Sequence, residues 1–147
     1  MHELFTQLGA NKVLQTAVGA LFLAQVLKIV FVLAVRKQLD LRLVLNSGGM
    51  PSSHSALVSA LAIAVGRQYG FQTAYFAIAT VFSLIVMYDA AGVRRAAGKQ
   101  AEVLNQIIEQ IYRNQELTQE RLKELIGHTP VEVFAGCLLG VVFAFIY

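Results

Sequence analysis

The sequence is poor in charged residues and in cysteine. Only 14% of its 147 residues are Asp, Glu, Lys or Arg, whereas about a quarter of a soluble domain is charged. The one cysteine, Cys137, excludes an internal disulfide bond. The net charge of +3 is small and the basic residues are scattered along the chain, so the charge gives no argument for a nucleic-acid partner. The shortage of charge indicates instead that much of the surface faces lipid.

Apolar stretches take the place of the missing charge. Hydrophobic residues make up 56% of the chain, and the mean hydropathy is +0.60. Membrane helices are predicted at residues 13–35, 51–65, 73–91 and 130–147. The first is long enough to cross a hydrocarbon core of about 30 Å, whereas the second and fourth are short for a spanning helix. If all four stretches span the membrane, the connection between the first and second and the connection between the third and fourth lie on the same side of it.

A polar segment at residues 96–126 separates the third and fourth apolar stretches. Its apolar residues recur at helical spacing in two stripes, which predicts two amphipathic helices broken near Asn114. This hairpin either packs on its own stripe in solvent or covers a site at the membrane surface. In the last stretch, Gly136 and Gly140 form a small-xxx-small pair that would let helices approach closely.

The predicted fold is therefore an all-α, polytopic membrane helix bundle. It has about four spanning helices, with the polar amphipathic helical hairpin before the last, and residues 1–147 form a single domain. Ionisable residues in or beside a membrane are costly, which makes them functional candidates. In this topology the strong ones come from separate parts of the chain and converge on one side: Lys28, His54, Asp89, Arg94, Arg95, His128 and Glu132.

The first candidate motif is the segment at residues 48–55, Gly-Gly-Met-Pro-Ser-Ser-His-Ser. Its glycines allow backbone conformations closed to other residues, and its proline suits the first turn of a helix. Ser52 and Ser53 would bring hydroxyl and free N–H groups to a helix N-terminus, which is a ready anion site. His54 would be placed to donate a proton to a leaving oxygen. The alternative is a capped helix start with an incidental histidine.

The second candidate motif lies at the start of the fourth apolar stretch. Thr129 and Glu132 have the spacing of a capping box, with Pro130 at the first helical position, which gives Glu132 a purely structural explanation. Glu132 also follows His128 by four residues, so its carboxylate could reach an imidazole nitrogen. That contact would fix the tautomer and raise the basicity of the other nitrogen, as a nucleophilic histidine requires.

Cations supply the third candidate feature. Guanidinium forks match phosphate oxygens, so Arg94 and Arg95, which follow Asp89, are interpreted as an oxyanion clamp. Snorkelling to the headgroups is the alternative. Lys99 is either a further contact or a solvated residue. Lys28 lies about two helical turns inside the predicted interface, and a lysine at that depth needs an anion or a carboxylate.

Together the motifs resemble the divergent branch of the type 2 phosphatidic acid phosphatase superfamily, which is related to the vanadium-dependent haloperoxidases. The resemblance rests on residues 48–56, 89–101 and 127–133, in that order, and covers nearly the whole chain. It implies an all-helical bundle with a phosphate site at one end. Several positions depart from the commoner superfamily pattern: Ser53 replaces a glycine, Glu132 an aspartate, and Val35 and Leu122 stand where arginines are usual.

The resemblance also implies a mechanism that uses no metal or other cofactor. His128 would attack phosphorus and form a phosphohistidine, Glu132 would orient His128, and His54 would protonate the departing alcohol. The phosphate-binding residues would be Lys28, Ser52, Ser53, Arg94 and Arg95. The supporting residues would be Asp89, Gly48, Gly49 and Lys99.

The function predicted first is a membrane phosphatase for a lipid phosphate or isoprenyl phosphate, integral to the cell membrane. The alternative is a non-catalytic phospholipid-binding or scaffold membrane protein that retains the phosphate site. The altered motifs favour this alternative, and the retention of both histidines opposes it. Haloperoxidase chemistry suits a membrane-embedded chain less well, and a channel would need a more polar path. The short chain is compatible with a homodimer, and the side of the membrane that the site faces is left open.

Overall fold

The computed structural model describes residues 1–36, 49–112 and 127–147. All regular secondary structure in these ranges is helical, which confirms the predicted all-α class. Gly48 and residues 113–126, which include the second predicted amphipathic helix, lie outside the described residues. The helices are α1 (His2–Ala10), α2 (Lys12–Arg36), α3 (Ser53–Tyr69), α4 (Ala74–Ala91), α5 (Val93–Tyr112) and α6 (Pro130–Ile146).

Helices α2, α3, α4 and α6 coincide with the predicted apolar stretches. Two helical runs in the described part of the chain are long and apolar enough to cross a membrane, Lys12–Ala34 and Ala74–Glu109. Helix α3 has 17 residues, which at 1.5 Å per residue gives about 26 Å, short of a hydrocarbon core of about 30 Å. The number of four spans therefore stays a prediction.

Two helices differ from expectation. Helix α1 was not predicted, because it is short and its apolar residues form no long run. Helix α5 begins at Val93, directly after Gly92, and not near residue 96. The first predicted amphipathic helix is therefore joined to the end of α4 without an intervening loop.

Helix α3 is the centre of the bundle and contacts α2, α4 and α6. Its buried face consists of alanine, serine and other small residues, whose short side chains let neighbouring backbones approach closely. The fully buried core cluster is made of Ala20 from α2, Ala60 from α3 and Ala144 from α6, with Ile63 and Phe143 packed against it. Small residues thus do the packing where larger ones would hold the helices apart.

The predicted small-xxx-small pair forms the contact between α6 and α3. A Cβ atom at Gly136 would collide with the backbone carbonyl of Ser52, and one at Gly140 would collide with the carbonyl of Ala56. The Ser59 hydroxyl of α3 lies 3.1 Å from the Cys137 carbonyl oxygen of α6. The close approach expected from the glycine spacing is confirmed, with α3 as the partner helix.

The helix directions gather the motifs at one end of the bundle. Helices α3 and α6 run parallel, since Ser52 at the start of α3 bonds to Glu132 at the start of α6, and Arg67 at the end of α3 bonds to Ala144 near the end of α6. Helices α2 and α4 run antiparallel to them. The ends of α2 and α4 therefore meet the starts of α3 and α6, as the predicted topology requires.

We expect Gly140→Ala to lower the stability of the protein. The added methyl group would push the α6 backbone away from the Ala56 carbonyl, and overpacking of this kind costs about 1–3 kcal/mol. The matched control is Gly9→Ala in α1, where an added Cβ meets nothing within 4 Å. Thermal unfolding in detergent measures both variants, and equal midpoints for the two would contradict the close α3–α6 packing.

Candidate functional site

The described site is centred on His128 and Glu132 at the start of α6. His128 Nδ1 lies 3.1 Å from Glu132 Oε2. The same carboxylate oxygen accepts the Thr129 backbone N–H at 3.0 Å, while the Thr129 hydroxyl accepts the Glu132 N–H at 3.3 Å. Capping and histidine orientation, which the sequence offered as alternative explanations of Glu132, are therefore performed together by one carboxylate.

This contact determines the chemistry of the His128 ring. An ionised carboxylate only accepts hydrogen bonds, so the Nδ1 atom that faces Glu132 carries the proton in the neutral ring. The lone pair of the neutral imidazole is then on Nε2. The side chain of His128 is only 2% exposed, and Nε2 is buried. A carboxylate on one nitrogen raises the basicity of the other, which is the arrangement of an activated nitrogen nucleophile.

Backbone hydrogen bonds tie the pair to two other helices. The His128 N–H donates to the Ala90 carbonyl at the end of α4, with an N···O distance of 3.2 Å. The Ser52 N–H donates to the Glu132 carbonyl at 3.0 Å. Since both partners are backbone groups of helix ends, the position of the imidazole depends on how α3, α4 and α6 pack, and not on flexible side chains.

Lys28 is buried at the same end of the bundle. Its side chain is 1% exposed, and it interacts electrostatically with Glu132. A buried ammonium group needs an opposite charge nearby, because transfer of a charge from water to an apolar environment is very costly. The sequence required an anion or a carboxylate for Lys28, and Glu132 is a carboxylate that attracts it electrostatically.

Gly49 completes the wall beside Lys28. Its φ angle is +98°, a conformation that other residues rarely adopt. A Cβ atom at this position would lie 3.4 Å from Cδ of Lys28, so the glycine backbone packs directly on the lysine stem. The backbone freedom predicted for the glycine pair is used at Gly49.

The serines of the first motif are buried at the start of α3. Ser52 is the N-cap residue, and its hydroxyl oxygen accepts the Ser55 N–H at 3.4 Å and the Ser55 hydroxyl at 3.0 Å. Its own N–H is already bonded to Glu132. Ser53 is 4% exposed in the first turn. The helix begins at Ser53 with Ser52 as its N-cap, so Pro51 precedes the helix and does not take the first-turn position predicted for it. Phosphate binding by Ser52 and Ser53 stays a prediction.

The other predicted residues surround this centre to different degrees. His54 lies in the first turn of α3 but is exposed, unlike the serines on either side of it. Asp89 is half-buried and directly precedes Ala90, whose carbonyl holds His128. Lys99 is exposed on α5. The backbones of Arg94 and Arg95 lie in the first turn of α5, and their side chains are outside the described part of the structure.

Sequence reasoning missed two contributors to the site. One is the Ala90 carbonyl, which leaves no signal because it acts through the backbone. The other is Ser55, whose buried hydroxyl donates to Ser52. The signal for Ser55 was present, since it belongs to the same serine-rich motif and is the fifth residue of the helix predicted at residues 51–65.

Comparison with known proteins gives two matches. Residues 9–143 match a family model described as the Divergent PAP2 family. The chain is also similar to the uncharacterized membrane protein YuiD of Bacillus subtilis (strain 168), with 40% identity over 146 residues that cover 92% of each chain. No solved structure matches the chain.

We expect Lys28 and Glu132 to be energetically coupled. In Glu132→Gln the glutamine can still serve the capping box, but the charge that stabilises buried Lys28 is lost. Lys28→Met removes the other charge. Each single variant should lower the free energy of unfolding, and the double variant should lower it by about 0.5–3 kcal/mol less than the sum. Equilibrium unfolding of the four proteins in detergent measures this difference, and strict additivity would show that the two charges do not interact.

Proposed function

The chain belongs to the divergent PAP2 family, and from that premise we propose that it is a membrane phosphatase that hydrolyses lipid phosphate esters through a phosphohistidine at His128. The family match agrees with the resemblance carried by the three motifs. The observation that carries the proposal is the buried His128 ring, whose Nδ1 lies 3.1 Å from a Glu132 carboxylate that is itself fixed by Thr129. That arrangement presents Nε2 as the nucleophile.

The first step transfers the phosphoryl group to the enzyme. The Nε2 lone pair of His128 attacks phosphorus, the bond from phosphorus to the alcohol oxygen breaks, and that oxygen takes a proton from His54. Glu132 stabilises the positive charge that develops on the His128 ring. His54 is exposed at the start of α3, which allows it to exchange protons with water between turnovers.

The second step releases phosphate. A water oxygen attacks phosphorus, its proton passes to His54, and the bond between phosphorus and Nε2 breaks with return of the electron pair to His128. Lys28, Arg94 and Arg95 stabilise the negative charge on the phosphoryl oxygens in both steps. No metal or other cofactor is needed for this sequence of bond changes.

The surroundings of the site favour a substrate with an apolar tail. Helices α2 and α4 expose large apolar side chains along their length, such as Phe22, Val30, Phe82 and Ile85. In a bilayer these surfaces face acyl or isoprenyl chains. A lipid phosphate would place its phosphate group in the polar site at the end of the bundle and its apolar tail among the lipid chains. Location in the cell membrane and assembly into a homodimer stay predictions.

A second candidate function is phospholipid binding without catalysis at the same site. The contacts of Ser52 favour it, because the hydroxyl and N–H expected to receive the phosphate are both bonded within the protein. In this case the site would hold a headgroup near Lys28 and the arginines, and His128 would be a structural link between α4 and α6.

We expect the purified protein in detergent to release phosphate from at least one of phosphatidate, phosphatidylglycerophosphate and an isoprenyl pyrophosphate. His128→Ala should lower the rate at least about a thousandfold, since it removes the nucleophile. Glu132→Gln should lower it about a hundredfold through weaker activation of the imidazole. With a substrate labelled at phosphorus, an acid-labile and alkali-stable label should appear on the wild-type chain and not on His128→Ala.

The matched control is His2→Ala, which removes a histidine from α1 and should retain full activity. A folded wild-type protein that releases no more phosphate than His128→Ala from every substrate would contradict the phosphatase. If that protein still binds phosphatidate, phospholipid binding without catalysis becomes the better function.

A further inference from the structure

A separate cavity lies at the end of the bundle opposite His128. Its volume is about 290 Å³, and it is formed where the start of α2 meets the ends of α3 and α6. Lys12 and Thr16 come from α2, Arg67 and Gln68 from α3, and Tyr147 follows α6. The residues of the phosphatase mechanism belong to the other ends of these helices, so this cavity is not part of that site.

The cavity is positively charged. Lys12 and Arg67 both line it, and none of the described residues that line it is Asp or Glu. Arg67 Nη1 donates to the Ala144 carbonyl, a contact that uses one of the five N–H donors of a guanidinium group. Two cations therefore face a space whose described lining side chains include no Asp or Glu.

Helix stability does not explain Lys12. It is the first residue of α2, and the first turn of this helix contains no acidic residue. A cation at this position opposes the helix macrodipole, whose positive end lies at the N-terminus. An anion in the cavity would interact favourably with Lys12, with Arg67 and with the positive end of α2 at the same time.

The remaining lining suits a phosphate group at a membrane surface. Thr16, Gln68 and Tyr147 line the cavity around the cations, and Val13 and Ala64 supply apolar surface. The Thr16 hydroxyl donates to the Lys12 carbonyl and the Tyr147 hydroxyl to Gln15, so the cations are the groups left to hold an anion. Basic pockets between membrane helices bind the headgroups of anionic lipids. We propose that this cavity binds a phosphate group, carried by an anionic lipid or free in solution, at a second site that is independent of His128.

A fluorophore in the cavity tests this proposal. The chain contains no tryptophan, so Tyr147→Trp provides one emission signal from the cavity itself. A short C-terminal extension keeps the α-carboxylate of that residue from acting as a charge in the cavity. The full-length protein in neutral detergent is titrated with phosphatidylglycerol micelles, with phosphatidylcholine micelles and with inorganic phosphate.

We expect a saturable change in emission with phosphatidylglycerol and a weaker one with phosphatidylcholine, whose headgroup has no net charge. Lys12→Gln and Arg67→Gln should each weaken binding about fivefold, the value expected for one cation near the membrane surface. Lys12→Arg and Arg67→Lys, which keep the positive charge, should retain most of the binding affinity. Glu102→Gln, an exposed charge change on α5, is the remote control.

The two ligands distinguish the sources of the phosphate. Saturation by phosphatidylglycerol alone assigns a lipid headgroup, and saturation by inorganic phosphate as well assigns free phosphate too. The absence of saturation with either ligand overturns the proposal, as does equal affinity in Lys12→Gln and the parent protein. Lys12→Gln decides the test if Arg67→Gln fails to fold, because it leaves the Ala144 contact intact.

Discussion

The burial of Lys28 is the constraint on which the rest of the site depends. An ammonium group at Lys28, which is 1% exposed, is stabilised by a nearby negative charge, and Glu132 attracts it electrostatically. The carboxylate must then be held in place, which the Thr129 N–H does at 3.0 Å. The same oxygen, Glu132 Oε2, lies 3.1 Å from Nδ1 of the His128 ring. The buried lysine of α2 and the imidazole that precedes α6 are thereby linked through one carboxylate.

Close packing of small residues makes this charge arrangement possible. Gly136 lies against the Ser52 carbonyl, and Gly140 lies against Ala56 one turn further along. This register places the first turn of α6 beside the first turn of α3, where the Ser52 N–H can reach the Glu132 carbonyl. Larger residues at either glycine would separate the helices and break that bond. The glycine spacing and the charged site are therefore two parts of one interface.

Features that depend on local spacing could be predicted from the sequence. The four apolar helices follow from long hydrophobic stretches, and the capping box and the contact between His128 and Glu132 follow from intervals of three and four residues. Features that depend on tertiary backbone contacts could not. The Ala90 carbonyl leaves no side-chain signal, and the use of the Ser52 N–H depends on the register of α6. The exposure of His54 between buried serines likewise depends on which face of α3 meets its neighbours.

The two ends of the bundle meet the same electrostatic requirement in different ways. At one end the chain provides both charges, and the carboxylate of Glu132 serves Lys28 and His128 together. At the other end Lys12 and Arg67 line a cavity whose described lining has no Asp or Glu side chain. Glu132 holds the His128 ring from a fixed position, because its carboxylate is also bonded to the Thr129 N–H. At the proposed second site, cations with no Asp or Glu among the described residues beside them would be able to exchange one anion for another, which is a property of a binding site. The totals of nine acidic and twelve basic residues thus matter less than which of these residues lie at the same end of the bundle.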